Sequence, residues 1–443
     1  MKFRKFGQIG LALAVSLGLC FGITSCSVDF TVAFLYVTGS QYNQIGAFKV
    51  ANNTGNLSTS AGSPYGSGGT NPVRALVSTT GRYLYVLNAG SPSADSSGNL
   101  TYNGGNIAIF SVGGTGNLAF QQSYTSQGTG SVRFGFASTG SFLYVLDKYM
   151  PGQRCNGQVA NACPTQSAQF PCPDPTTPNL WRPVGDITAF SVDTDTGRLS
   201  LITNNQQQDP TTGAQLTTFP VGCNPIDIKV SAGFVFVPDN GPEPTTGQKQ
   251  TVFAYALNAT NGQLTLTQNT ELTTGATQIS AIGSDQAGRY IYILDTGANQ
   301  IFYYTVGTGG LLQAVTGSPT ANVASAVNPV ALTSDSKSKF LYIANAGPSS
   351  GTQNPNSVIS GFTIAANGVL APIAPSTFTT GSGPQCMIED PSNQYMYTAD
   401  SDSNTVTGKV LDPSSGNLTD LRNATSYATV GTPTWCVANG HTN

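Results

Sequence analysis

The residues best suited to chemistry are few, because only 9% of the 443-residue chain is charged and its single histidine is His441. One set ends a recurring short strand: Asn88, Asp147, Asp239, Asp295, Asn345 and Asp400. Brought into a ring, such carboxylates and amides would suit a divalent cation or a water-activating base, with Asp147 and Asp239 as the catalytic candidates. The alternative is that each side chain caps its own turn, as Asn and Asp commonly do. A second set comprises Arg74, Arg133 and Asp227 at equivalent places in three successive repeats. Two converging guanidinium groups can grip a carboxylate or phosphate bidentately. They can equally pair with a carboxylate of the first set such as Asp147. TDTGRL around Asp193 and Asp195 reads as a hairpin turn.

These residues must be positioned by the element on which they recur. GRYLYVLN (81–88) has relatives at FLYVTG (34–39), SFLYVLD (141–147), GFVFVPD (233–239), RYIYILD (289–295), KFLYIAN (339–345) and QYMYTAD (394–400). Each is a buried apolar strand stopped by a polar turn former. Around each copy stand a first strand opened by Pro or a similar residue, a third strand such as IAIFSV (107–112), and a Gly-x-Leu turn into a fourth. Seven four-stranded antiparallel units predict an all-β, seven-bladed β-propeller over residues 31–440. The first copy lacks its first strand and the segment PTWCVA (433–438) is an unpartnered one, so the carboxyl-terminal strand is expected to close the ring on the amino-terminal blade.

Insertions at 89–105, 148–185, 240–250 and 346–356 fall on one face, where long loops on a rigid scaffold carry binding function. The 148–185 insertion is rich in Cys and Pro. Six cysteines, Cys155, Cys163, Cys172, Cys223, Cys386 and Cys436, read as disulfides. One bridge is expected inside the insertion, one to Cys223, and one between Cys386 and Cys436 at the closure. A protein metal site is not indicated, with no CxxC pair and one histidine, although a divalent cation at the channel mouth is compatible with the Asp/Asn ring.

The amino terminus carries Lys2, Arg4 and Lys5, an apolar run from Ile9 to Phe21, and Ile23-Thr24-Ser25-Cys26. This order is that of an export signal (1–25). Residues 23–26 resemble a bacterial lipobox, which implies lipid on Cys26 and, with Ser27 following, an outer-membrane lipoprotein in the cell envelope. The net charge of −3 and the absence of basic clusters beyond that signal speak against nucleic acid. The expected partner is a small molecule or an envelope protein, the only membrane contact is the lipid anchor, and the expected state is a monomer.

The YVLN-like strands, the NP before the first strand and the TGxL turn resemble the seven-bladed lactonase-type propellers, the 6-phosphogluconolactonase-like and YVTN-repeat proteins, over 31–440. That resemblance implies the fold and, as an activity, lactone hydrolysis. Muconate-cyclising propellers of this kind use a histidine that the body of this chain lacks. GxSxG, HExxH, phosphate-loop and dinucleotide fingerprints are also missing. Two functions are therefore expected: a binding scaffold acting through the loop-rich face and, as the alternative, a lactone hydrolase with Arg74 and Arg133 on the substrate.

Overall fold

The computed structural model describes residues 30–94, 100–150, 184–208, 213–241, 250–271, 276–348 and 356–440. Seven antiparallel sheets follow one another along the chain, with one further hairpin, Ser91–Ala94 and Leu100–Asn103, in the first insertion. The architecture is the expected seven-bladed β-propeller. Blades are numbered 1 to 7 by their second strands, Thr31–Gly39, Tyr83–Asn88, Phe142–Tyr149, Phe234–Asp239, Tyr290–Asp295, Phe340–Asn345 and Tyr395–Asp400. In blades 2, 4 and 6 the outer strand is continuous. In blades 1, 3, 5 and 7 two short strands share that edge, which is why those sheets have five strands where four were expected.

Two sequence signals that looked independent are the two halves of one contact. In five blades the tyrosine of the second strand donates its hydroxyl to the carbonyl of the turn glycine in the following blade, whereas the buried hydroxyl of Tyr292 in blade 5 has no such partner. Tyr36 reaches Gly116 (3.2 Å), Tyr85 Gly197 (2.8 Å), Tyr144 Gly262 (3.0 Å), Tyr342 Gly416 (2.7 Å) and Tyr397 Gly55 (2.6 Å). Blade 4 has Phe236 at this place. Glycine is required on the acceptor side for two reasons at Gly416: its φ is +75°, and a Cβ there would sit 2.5 Å from the Phe340 ring. The tyrosines are fully buried between blades, so an unmade bond would leave a desolvated hydroxyl.

The ring closes as expected. Strand Pro433–Gly440 pairs with Thr31–Gly39 to give blade 1 its innermost strand. Cys386 of blade 7 and Cys436 of this strand form a disulfide, Cα to Cα 5.8 Å, inside the core shared by blades 7 and 1. Cys223 is also disulfide-bonded. Cys155, Cys163 and Cys172 lie outside the described residues, as do Cys26 and the rest of the amino-terminal signal.

Candidate functional site

The innermost strands place the charged residues through a repeated irregularity. In blades 1, 2, 3, 5, 6 and 7 the pairing of the first strand with the second slips by one residue near its start, for example between Pro72 and Arg74. Such a bulge re-aims the next side chain. The residue that follows it is Trp435 in blade 1, Arg74 in blade 2, Arg133 in blade 3, Ala281 in blade 5, Ala331 in blade 6 and Cys386 in blade 7. In blade 4, Asp227 stands two residues after Pro225, which bridges to Asp239. The three ionisable members therefore come from adjacent blades.

They meet. Arg74 Nη1 donates to Asp227 Oδ1 at 3.0 Å, and Arg133 Nε lies 4.0 Å from the same oxygen. The Arg74 guanidinium also stacks on Trp435, 4.1 Å from the ring centroid, while that of Arg133 lies 6.0 Å from it. Asp227 further accepts the main-chain N–H of Ile282 at 3.2 Å and that of Ile228 at 2.8 Å. The guanidiniums thus pair with Asp227 and not with Asp147. Burial grades across the cluster, from side-chain exposures of 7% at Asp227 and 13% at Arg74 to 30% at Arg133. Arg133 is its solvent edge.

A fourth member went unread in the sequence. Lys229 lies two residues beyond Asp227, and in a strand that spacing puts both on one face, so IDIKV held the signal. Burial lowers the Lys229 pKa, and the positive charge of Arg74 lowers it further, against opposing pulls from Asp227 and Asp285. Its ammonium has no hydrogen bond or ion pair among the described residues. Burial likewise brings Arg74 down to about 10, against the pull of Asp227 and with a further push from Arg133. Arg74 Nε is buried without a hydrogen-bond partner. Three cations around one carboxylate leave an excess of positive charge and unspent donors.

The strand-ending set is arranged differently from the expected ring. Asn88, Asp147, Asp295, Asn345 and Asp400 are fully buried and Asp239 nearly so, each one strand out from the channel. Asp295 accepts main-chain N–H groups from Thr277, Gln278, Gly297 and Ala298. Asp239 accepts those of Asn224 and Gly241. Asp400 takes the hydroxyls of Thr380 and Thr407, and Asn88 and Asn345 donate to nearby carbonyls. These residues clamp the loop entering each blade to its second strand. Burial raises Asp147, Asp239 and Asp400 to about 6, with these hydrogen bonds opposing it.

A family model described as lactonase, 7-bladed β-propeller, matches residues 312–438. That span runs from the outer edge of blade 5 through blades 6 and 7 into the closing strand. Among solved structures the chain is similar to the periplasmic gluconolactonase PpgL of Pseudomonas aeruginosa (15% identity, TM-score 0.63, covering 92% of this chain and 99% of that one). It is similar to a putative 6-phosphogluconolactonase of Bacteroides fragilis (15%, 0.62, 92% and 98%) and to another of Bacteroides uniformis (14%, 0.62, 92% and 100%). At these identities the likeness is one of fold. No curated protein sequence matches the chain.

Proposed function

We propose that this propeller binds a small organic acid, or the lactone that such an acid forms, at the basic cluster of its channel. The carrying observation is the grouping of Arg74, Arg133 and Lys229 around the single carboxylate of Asp227. Arg74 and Asp227 lock each other and form the floor. Arg133 and Lys229 hold free donor capacity toward a ligand, and Trp435 offers an apolar face to its carbon skeleton. The site lies near the strand ends from which the insertions of blades 2, 3 and 4 depart, a placement that suits a ligand entering from the loop-rich face.

Lactone hydrolysis is the second reading, favoured by the lactonase match over 312–438 and the likeness to a periplasmic gluconolactonase. Water would add to the lactone carbonyl, Arg133 would stabilise the oxyanion, and Lys229, its pKa lowered, would take the water proton. The ring C–O bond then breaks, the alkoxide receives that proton, and a hydroxy acid leaves. Asp147 and Asp239, enclosed by their own turns, serve the scaffold in this reading.

The protein is further proposed to act outside the cytoplasm, tethered through lipid on Cys26. The signal-like amino terminus and the Cys386–Cys436 disulfide support this.

The deciding experiment is calorimetric titration of the domain from Ser27 onward with gluconate and related sugar acids, beside hydrolysis assays on their lactones. Wild-type binding abolished in Arg133→Ala/Lys229→Ala supports the site, and turnover abolished with it supports the enzyme. Binding unaffected by the double substitution would place the ligand elsewhere.

A further inference from the structure

The seven blades supply an internal control at the first residue of the third strand, which stands opposite the strand-ending Asp or Asn. Opposite Asn88 is Asn106, opposite Asp239 Thr251, opposite Asp295 Gln300, opposite Asn345 Val358, and opposite Asp400 Thr405; blade 1 pairs Gly39 with Gln44. All six partners are uncharged. Several bond directly across: Asn88 donates to Asn106 (2.8 Å) and Gln300 to Asp295 (3.0 Å). Blade 3 alone sets a carboxylate against a carboxylate, Asp147 opposite Asp186.

The two acids are not equivalent. Asp147 is satisfied, accepting the hydroxyls of Ser131 (2.6 Å), Ser126 (2.9 Å) and Thr188 (3.2 Å). Asp186 is fully buried, and both of its carboxylate oxygens lack a hydrogen-bond partner. The buried hydroxyl of Thr218, on the neighbouring outer segment, is an orphan too and faces Asp186. Gly128 marks the convergence: a Cβ on it would collide with Asp186 Oδ1 and lie 2.6 Å from Asp147 Cβ. Burial and the Asp147 charge drive the Asp186 pKa well up. A proton shared with the Thr218 hydroxyl or with Asp147 would satisfy one oxygen of Asp186 and leave the other bare. A hard cation would satisfy Asp186, Thr218 and the spare lone pairs of Asp147 together.

We propose that Asp147, Asp186 and Thr218 form a calcium site in blade 3. The donors are all oxygen, the two carboxylates neutralise a divalent ion, and main-chain oxygens or water complete the six to eight ligands that calcium takes. Magnesium fits less well, because it surrenders its water reluctantly and these ligands are buried. Asp186 lies two residues from Val184, which accepts the N–H of Met150 at 2.9 Å where the chain leaves for the long insertion. The ion would fasten both roots of that insertion.

The test uses the full mature domain, stripped with EGTA and then titrated with calcium chloride by calorimetry, with metal content measured before stripping. One equivalent of calcium in the wild type is expected, together with a melting temperature raised by about 3 °C at a hundredfold excess over Kd. Asp186→Asn should bind none, and calcium should leave its melting temperature unmoved, because the amide removes the charge and supplies toward Asp147 the kind of donor that Gln300 supplies to Asp295. Should that variant fail to fold, Thr218→Val carries the test, with several-fold weaker calcium binding expected. A wild type that neither contains nor binds calcium, or a variant that binds it as the wild type does, overturns the proposal.

Discussion

Blades 5 to 7 and blades 2 to 4 are built from the same repeat and carry different side chains on their innermost strands. At the position after the bulge the first group carries Ala281, Ala331 and Cys386, while the second carries Arg74 and Arg133, with Asp227 at the corresponding place two residues after Pro225 in blade 4. Four-residue turns join Asp295 to Gln300 and Asp400 to Thr405. In blade 3 the path from Tyr149 to Asp186 takes in most of the 148–185 insertion. The lactonase model matches the outer edge of blade 5, blades 6 and 7 and the closing strand, a span that includes Trp435 of the cluster but none of its charged residues. What the two halves share is the scaffold; the side chains at one bulge position separate wall from site.

That division can be broken experimentally. The largest effect is expected from removing residues 433–443, which deprives blade 1 of its innermost strand: loss of the cooperative melting transition in calorimetry, for both halves at once. An unchanged melting temperature would show that the ring holds without closure. Replacing Cys386 and Cys436 by Ser should cost about 4 kcal/mol in denaturant unfolding, the loop-entropy value for a 50-residue separation, with ligand binding by the folded fraction retained.

A pH effect comes next. Asp239 and Asp400 titrate at about 6 when folded, above the ordinary carboxylate value of 3.8. Raised pKa values mean that their contribution is fully present below about pH 4 and is lost as pH rises through about 6, roughly 3 kcal/mol for each group. Stability measured from pH 4 to 7 should therefore fall, and Asp400→Asn should flatten part of that slope. At the cluster, Arg133→Ala should weaken ligand binding at least about tenfold, near 1.4 kcal/mol, while the melting temperature stays close to wild type because Arg133 is the partly exposed member. A large fall in stability instead would make it a structural residue. The smallest effect is expected from Tyr144→Phe or Tyr397→Phe, about 1 kcal/mol each, since blade 4 works with Phe236.

Much of this was legible because the repeat averages over seven copies. Strand identity, turn glycines and ring closure all follow from spacing and period, and the Cys386–Cys436 pair follows from their places in adjacent first strands. Partnerships across the ring were harder to read. Arg74 and Asp227 are 153 residues apart and meet only because three blades curve around the channel. The strand-ending Asp and Asn residues allowed either an open ring or a cap on each turn; the loop entering each blade folds over them, held by main-chain N–H groups at Asp239 and Asp295 and by Ser and Thr hydroxyls at Asp147 and Asp400. Asp186 was unremarked for a similar reason, since 38 residues separate it from the acid it faces.

The closing strand carries two neighbours with separate tasks, Cys436 in the seam with blade 7 and Trp435 against Arg74. A ribosome makes this strand after every other strand of the ring. Until it emerges, the channel lacks one wall and Arg74 lacks the indole it stacks on, so a nascent chain could offer its cations but not an assembled cradle for them. Competence to hold a ligand of the proposed kind would then arrive in one step, when the closing strand completes blade 1.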